Sequence, residues 1–504
     1  MIKKTTIILF ILFIIILLGS FFNQRKEVSA SNPHRPDLGE NRIHLPLIST
    51  GVQSQFWIEI SSLSDVTPQD GLPLVSGDFD AERLNYIESI FPTLISALKD
   101  SGAGGTRIYL SWSDLEPNEP VDGKPQYSSY WWKWYDARLR EISKTGIDIL
   151  IVVADTPDWA TATCGPIYEN RLNEFTRFLT DLVNRYMLPP YNVNHWELIN
   201  EPDYTWLDGG YGHGCWGNHG AEYAKMLSLG YPAIKAVDPT AFVLQGGIAY
   251  DWFTEYGGPF NRYFPDDVMK NGGSNFIDAL NFHYFTDFRL EWERWNQLPP
   301  PTCGNVSDGQ GTNYEAGGVD IIAKASHYRN RMFTCFGVDK PIWVTELATH
   351  GNPDDPSDLA EQARYLIKGN VRGLAAGITN IIWYSLITND SHNQGLLFDN
   401  LEPKPAFNAF QTLVRELRGF DYQQTIANNS VEAYVFKSPG SGREKVVAWG
   451  RGKLTFESAS RLRVVDRNGN ITDIEDGGLG DYDGKRNNVI VYKVSHEPSF
   501  IQSY

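Results

Sequence analysis

Short runs of β-branched and aromatic residues alternate along the chain with longer amphipathic stretches. The short runs have the length and composition of strands, and the longer stretches repeat their apolar residues with the period of a helix. Eight strands are predicted, at residues 56–61, 106–112, 147–155, 193–201, 241–247, 276–285, 341–347 and 380–386. The helices predicted between and after them span residues 84–100, 130–146, 170–187, 221–237, 319–333, 359–377 and 404–419.

This alternation predicts an α/β fold, because strands separated by helices form a parallel sheet. Eight such units favour a closed (β/α)8 TIM barrel, which we assign to residues 55–419. The competing fold is an open, doubly wound sheet. That fold usually carries a glycine-rich turn after its first strand, and no such motif follows residue 61.

The pattern changes after Gly419, where strand-like segments follow one another without helices. The pair Asn468-Gly469 predicts a hairpin turn within this region. A calcium loop built on Asp466 is the other interpretation, but the glycine is misplaced for it. Residues 420–504 are therefore predicted to form a small all-β, sandwich-like accessory domain, and residues 31–54 a linker that could add strands to it.

The first 30 residues have the features of an export segment. Lys3 and Lys4 precede an apolar run, and Val28-Ser29-Ala30 would serve as a cleavage site. The alternative is an uncleaved membrane anchor over residues 7–22, which would be the only membrane contact predicted. In both cases the rest of the chain is expected to act outside the cytoplasm, either secreted or on the cell surface.

Charge and cysteine content narrow the class of protein. The 504-residue chain has a net charge of −17, which argues against a nucleic-acid partner because phosphate binding needs clustered Lys and Arg. The four cysteines fit an oxidising compartment and allow three pairings into two disulfides. Cys164 and Cys215 are expected on neighbouring loops. The sequence has no C-x-x-C or H-E-x-x-H motif, and we expect neither a metal nor an organic cofactor.

Two glutamates stand at strand ends, where a (β/α)8 barrel carries its chemistry. Glu201 follows strand four in the sequence Asn200-Glu201-Pro202, and Glu346 ends strand seven. Strands four and seven face each other across the barrel mouth, so the two carboxyls can flank a bound group. Glycoside hydrolysis needs such a pair, with one carboxyl protonated and the other ionised.

Other side chains at the predicted mouth suit the same chemistry. Arg107 on strand two could hold Glu346 ionised and lower its pKa. Asn200 offers an amide donor for a sugar 2-hydroxyl. Trp383 on strand eight and Trp159 after strand three could present aromatic faces to a sugar ring.

The motifs NEP on strand four, TEL on strand seven and WYSL on strand eight resemble those of glycoside hydrolase clan A. The segments TPDWA and KPAFNAF are most similar to family 39, the β-xylosidase and iduronidase group, with family 5 as the next neighbour. The resemblance implies a retaining double displacement, with Glu201 as acid/base and Glu346 as nucleophile. Asn200, Arg107 and Trp383 match the clan's supporting positions.

Strand six departs from the clan pattern. The clan commonly carries His-x-Tyr there, with the Tyr bonded to the nucleophile, whereas this chain has His283-Tyr284-Phe285. Strand alternation puts His283 and Tyr284 on opposite faces. Either a bulge turns Tyr284 inward, or that hydrogen bond is missing. Both residues are included among the candidate substrate-binding residues.

The sequence thus predicts an exported, retaining O-glycosyl hydrolase that acts on oligosaccharides or polysaccharides of plant or microbial origin. A carbohydrate-binding surface protein that has kept the barrel and lost turnover is the alternative. The pair Glu201 and Glu346 argues against that alternative, and the departure at Tyr284 argues weakly for it. A membrane-anchored structural protein would need neither glutamate.

Overall fold

The computed structural model describes residues 54–60, 81–206, 214–295, 303, 317–387, 393–428 and 430–504. The predicted export segment, and the linker apart from residue 54, lie outside these residues. The eight strands of the barrel sheet are β1 (Phe56–Glu59), β2 (Gly105–Ser111), β3 (Asp148–Ala154), β4 (His195–Leu198), β5 (Phe242–Gln245), β6 (Leu280–Phe285), β7 (Ile342–Ala348) and β8 (Ile378–Trp383). Each of these strands overlaps a predicted strand.

These strands form one parallel sheet in the order β5-β4-β3-β2-β1-β8-β7-β6. The ring is completed between β5 and β6 by isolated bridges, one of them joining Leu244 to Ala279. Across the same seam His283 N donates to Ile248 O at 2.8 Å. The predicted (β/α)8 barrel is therefore confirmed.

The main helices follow the strands as the amphipathic pattern predicts. They are α1 (Ala81–Ser101), α2 (Ser129–Ser143), α3 (Leu172–Tyr186), α4 (Gly220–Val237), α5 (Phe264–Lys270), α6 (Ile321–Phe336), α7 (Pro356–Ala375) and α8 (Pro405–Leu417). Helix α5 was not predicted, because its seven residues make too few turns for an apolar period to be visible. Among the described residues, no helix is long and apolar enough to cross a membrane.

Large side chains fill the barrel interior below its mouth. The inward cluster consists of Trp57, Leu150, Leu244, Ala279, Trp343 and Ile382, with Phe242 packed against it. Trp57 lies two residues before Glu59 on β1, so both side chains point to the same face of the strand. The apolar cluster thus forms a dry floor under the polar groups at the strand ends.

Eight further strands follow the barrel. They are β9 (Asp421–Asn428), β10 (Val431–Lys437), β11 (Glu444–Gly450), β12 (Gly452–Glu457), β13 (Arg461–Asp466), β14 (Ile471–Glu475), β15 (Val489–Val494) and β16 (Ser499–Ser503). Six form an antiparallel sheet in the order β9-β10-β11-β16-β13-β14, and β12 pairs with β15. The predicted turn at Asn468-Gly469 joins β13 to β14. The Asp466 carboxylate accepts two backbone amide bonds there, which is the hydrogen bonding of a turn.

The two disulfides join Cys164 to Cys215 and Cys303 to Cys335. The first links the loop after β3 to the loop after β4, as expected from their places in the sequence. Disulfides form and persist in oxidising compartments, so both bonds fit a protein that works in such an environment.

A buried ion cluster joins α8 to the C-terminal sheet. Glu416 on α8 accepts from Lys445 on β11 at 2.7 Å and from Arg463 on β13 at 3.0 Å. Burial raises the pKa of Glu416, but the hydrogen bonds from Arg463 and Lys445 outweigh it and hold the pKa at about 2. Because the folded-state pKa is depressed, this carboxylate stabilises the fold above about pH 4.5 and loses that contribution as the pH falls towards 2.

We therefore expect Glu416→Gln to lower the free energy of unfolding by about 2 kcal/mol or more at pH 7, because it leaves a buried ammonium group without its counterion. The loss should shrink as the pH falls towards 2. Urea denaturation at both pH values measures it. Glu444→Gln removes an exposed partner of Lys437 and serves as the matched control, with an expected change below about 1 kcal/mol. Equal losses for the two variants would contradict the assignment.

Candidate active site

Arg107 is the hub of the polar layer above the apolar floor. Its side chain is fully buried, and its Nε and Nη2 donate to the two oxygens of Glu197 at 2.9 Å each. Its Nη1 donates to Glu59 at 2.7 Å and to Glu346 at 2.6 Å. These four residues are called the Arg107 cluster below. One guanidinium thus serves three carboxyl groups from β1, β4 and β7.

Three ionised carboxylates around one guanidinium would leave excess negative charge in a buried site, so the cluster favours an added proton. Burial raises the pKa of Glu59 against the opposing effect of Arg107, and the charge of Glu346 adds to the rise, which brings the pKa to about 8. The Oε1 of Glu59 is buried and makes no hydrogen bond within the described residues, which also disfavours its anion. Burial therefore favours the protonated form of Glu59 more strongly than that of Glu346.

Glu346 lies at the open side of the cluster. Its Oε1 accepts from Arg107 and from the hydroxyl of Tyr109 at 3.2 Å, and its Oε2 lies 3.4 Å from His283 Nδ1. Burial raises the pKa of Glu346 to about 7, with Arg107 opposing the shift and Glu201 adding to it. The net shift is opposite to the one expected from the sequence, because desolvation outweighs the attraction to Arg107.

Glu201 approaches Glu346 across the barrel mouth, with His283 between them. His283 Nδ1 lies 2.9 Å from Glu201 Oε1, and His283 Nε2 lies 3.1 Å from Thr345 Oγ1. One ligand atom from each of Glu201, His283 and Glu346 lies within 4.8 Å of the other two. Glu201 and Glu346 keep 6% and 5% of their surface exposed, whereas Arg107 keeps none. The two carboxyls thus keep a small accessible surface that Arg107 lacks.

The same three ligand atoms are close enough together to hold a metal ion. However, Arg107 Nη1 contacts Glu346 at 2.6 Å and places a fixed positive charge beside that position. A cation held by Glu346 would be repelled by this charge. The donor set suits acid–base chemistry better than metal binding.

The backbone that carries Glu201 is strained. Ile199 and Glu201 have φ values of +68° and +41°, in the left-handed region that β-branched and bulky residues rarely adopt. Each such residue costs roughly 1–3 kcal/mol, which the surrounding structure must offset. Glu201 N donates to Gly247 O at 3.0 Å. A Cβ on Gly247 would lie 2.1 Å from His283 Nε2, so only glycine allows this close approach.

The other predicted site residues have mixed outcomes. Asn200 Oδ1 accepts from Arg107 Nη2 at 2.8 Å, which orients the carboxamide beside Glu201. Trp159 is half-buried after β3, and its indole donates to Glu116 O at 2.9 Å. Trp383 is 1% exposed, and its indole donates to Gln394 O at 3.1 Å. Trp383 therefore packs in the core and offers no open face to a sugar.

Tyr284 does not reach Glu346. A register irregularity between β6 and β7 falls at Phe282 and His283, and it sets His283 opposite Glu346. Tyr284 points the other way, and its buried hydroxyl donates to Asp320 at 2.6 Å. The second of the two alternatives for strand six therefore holds, and Tyr284 is left out of the site.

Sequence reasoning missed Tyr109, Glu59 and Glu197. Tyr109 is two residues after Arg107 on β2, so strand alternation places it on the same inward face. Glu59 pairs with Arg107 across β1 and β2. Alternation alone could have found Tyr109, whereas the contacts of Glu59 and Glu197 depend on the stagger between strands.

No protein-family model matches the chain, and no curated protein matches it. Solved structures of glycoside hydrolases do share its fold. A family 39 glycoside hydrolase from the gut symbiont Bacteroides cellulosilyticus WH2 matches with a TM-score of 0.58 at 19% identity, over 89% of this chain and 81% of that one. A GH30 endoxylanase from Clostridium papyrosolvens C71 has a TM-score of 0.55 at 11% identity, over 90% and 97%.

A glucosidase from Croceicoccus marinus matches with a TM-score of 0.54 at 14% identity, over 81% of this chain and 90% of that one. At these identities the similarity establishes the fold alone. The chain therefore shares the fold of these glycoside hydrolase structures.

The protonation of Glu59 gives a testable pH dependence. Its pKa is raised in the folded state from the ordinary 4.5 to about 8, so its contribution to stability is complete below about pH 4.5 and is lost as the pH rises to about 8. We expect the wild-type protein to lose stability relative to Glu59→Gln over this range, because Gln mimics the protonated carboxyl and does not titrate. Thermal unfolding at several pH values measures the difference. The exposed Glu402→Gln is the control, and a parallel pH dependence in wild type and Glu59→Gln would overturn the assignment.

Proposed function

We propose that the protein is an exported, retaining O-glycosyl hydrolase of clan A that acts on an oligosaccharide or polysaccharide. The observation that carries the proposal is that one carboxyl oxygen of Glu201 lies within 4.8 Å of one carboxyl oxygen of Glu346. Retaining enzymes hold their two carboxyls about 5–5.5 Å apart, whereas inverting enzymes need about 6.5–9.5 Å to admit a water. The geometry supports the retaining mechanism. The clan A motifs and the shared fold of the family 39 structure support the assignment further.

In the proposed reaction, Glu346 attacks the anomeric carbon and forms a covalent glycosyl-enzyme. Arg107 and Tyr109 hold Glu346 Oε1 and leave Oε2 on the side of His283. The proton on Glu59 lets Glu346 ionise near neutral pH, because it removes one negative charge from the Arg107 cluster. These contacts orient the nucleophile before substrate binds, which is the condition for an effective attack.

Glu201 acts as the acid and then as the base. It first protonates the leaving oxygen and later deprotonates the water that releases the sugar. His283 Nδ1 lies within 3.4 Å of both carboxyls and can hydrogen-bond to each in turn. Asn200, oriented by Arg107, is proposed to donate to the sugar 2-hydroxyl. Trp159 and the half-exposed pair Phe285 and Tyr384 are proposed as walls of the sugar site.

The alternative of a carbohydrate-binding protein without turnover drew its support from the departure at Tyr284. Tyr109 supplies a hydroxyl to Glu346 from β2 instead of β6. The departure therefore does not favour a loss of catalysis.

The roles of the two glutamates are tested by alanine variants on an activated aryl glycoside. Glu346→Ala should abolish turnover, because no nucleophile remains. Glu201→Ala should show a burst of phenol and then stall as the glycosyl-enzyme accumulates, because the first step needs little acid and the second needs a base. External azide should restore turnover in Glu201→Ala and give a glycosyl azide of retained configuration. Glu402→Gln is the surface control. Wild-type turnover in both alanine variants would refute the proposal.

The proposed role of Tyr109 is tested against Tyr284. Tyr109→Phe should lower kcat/KM by roughly ten- to a hundredfold, the scale of one hydrogen bond to a charged group. It should also move the acidic limb of the pH profile to higher pH. The hydrogen bond from Tyr109 stabilises the ionised form of Glu346 and lowers the pKa of Glu346, so loss of that bond raises the pKa of Glu346. Tyr284→Phe should leave the limb in place, since its hydroxyl bonds Asp320. A shift in Tyr284→Phe and none in Tyr109→Phe would reverse the assignment.

A further inference from the structure

A cleft of about 400 Å³ lies on the C-terminal β region, beside the two-stranded sheet of β12 and β15. Three cationic side chains line it, Arg451, Lys453 and Lys493, together with His496. No Asp or Glu is among the described residues that line the cleft. The whole chain has a net charge of −17, so this concentration of positive charge is contrary to the overall balance.

The positions of the two lysines destabilise the two-stranded sheet. Lys453 and Lys493 are directly opposite each other in the antiparallel pairing of β12 with β15. Like charges at opposed positions destabilise a strand pair. Within the described part of the chain, no ion pair neutralises Lys453, Lys493 or Arg451. Glu497, next to His496 in the sequence, pairs with His496 but also with Arg364 and Arg467.

An aromatic ring completes the cleft. Tyr482 is 55% exposed, and Lys453 Nζ lies 3.6 Å from its ring centroid. The cation–π contact positions one ammonium group at the edge of the cleft. A flat ring beside several cations suits a ligand that has both an apolar sugar face and negative groups.

We propose that this cleft binds an anionic polysaccharide, with Lys453, Lys493 and Arg451 contacting its carboxylate or sulfate groups and Tyr482 contacting a sugar ring. The choice of a glycan over other polyanions rests on the proposed function of the barrel in the same chain. The cleft, at about 400 Å³, is of ligand-pocket size. The site would hold the enzyme on acidic glycan while the barrel acts nearby.

Binding is tested on the full chain carrying Glu346→Ala, so that turnover does not consume the ligand. The probes are polygalacturonate and dextran sulfate, with fully methyl-esterified polygalacturonate and plain dextran as their uncharged counterparts. We expect binding to at least one charged polymer, weakened by added salt, and none to its uncharged counterpart. The polymer that binds identifies the anionic group.

The decisive variant is the double substitution Lys453→Gln with Lys493→Gln. Its control is Lys133→Gln with Lys437→Gln, a double substitution that removes the same charge from exposed positions elsewhere. The first pair should weaken binding about tenfold, the scale of losing two exposed ion pairs, and the second pair should not. Equal affinity in the two double variants, or binding of duplex DNA as tight as that of the charged glycans, would overturn the proposal.

Two further measurements separate this site from the barrel. In the chain with Glu346 intact, Lys453→Gln with Lys493→Gln should leave kcat/KM on an aryl glycoside unchanged. Failure of glycosidase activity would refute the proposed function and leave the binding result standing. Lys493→Glu should raise the Tm, because it places an opposite charge across from Lys453, and it should weaken binding. A lower Tm would contradict the inferred cost of the opposed lysines.

Discussion

One buried guanidinium organises the mouth of this barrel. Arg107 donates hydrogen bonds to carboxyl groups on three other strands. The closed ring of strands, and not the neighbouring residues in sequence, brings these groups together. Removing one partner from such a buried cluster leaves a charge without compensation, which is far more costly than the net gain from any single pair. The cluster therefore constrains the strand ends, and the strand ends hold the two carboxyls at the opening.

Desolvation and charge repulsion act together in this cluster. The apolar floor beneath it keeps water away, so burial raises the pKa values of Glu59 and Glu346 even beside Arg107. The more strongly perturbed group, Glu59, has an oxygen without a hydrogen bond in the described chain and is the better proton holder. When the environments of two carboxyls give them different pKa values, one carboxyl can act as the acid and the other as the base or nucleophile. Here a third carboxyl adjusts the charge around the proposed nucleophile.

Gly247, which follows β5, links the strained turn at Glu201 to the ring of His283. Gly247 lies against the ring of His283 and accepts the backbone bond of Glu201. The strain at Ile199 and Glu201 is offset by these contacts, and it aims Glu201 at the opening.

The C-terminal β region has a different character, because its opposed lysines concentrate positive charge on a protein that is acidic overall.

The sequence by itself determined the eight barrel strands, the Asn468-Gly469 turn, the strand ends at Glu201 and Glu346, and the strands that carry Arg107 and His283. These features depend on local periodicity and turn chemistry, which are properties of neighbouring residues. The tertiary structure decided that Tyr109 and not Tyr284 meets Glu346, that Trp383 is buried, and how the four cysteines pair. It also decided the direction of the Glu346 pKa shift. Alternation along one strand tells which side chains share a face, but the stagger between strands and the depth of burial set which atoms meet across the barrel, and both arise only when the ring closes.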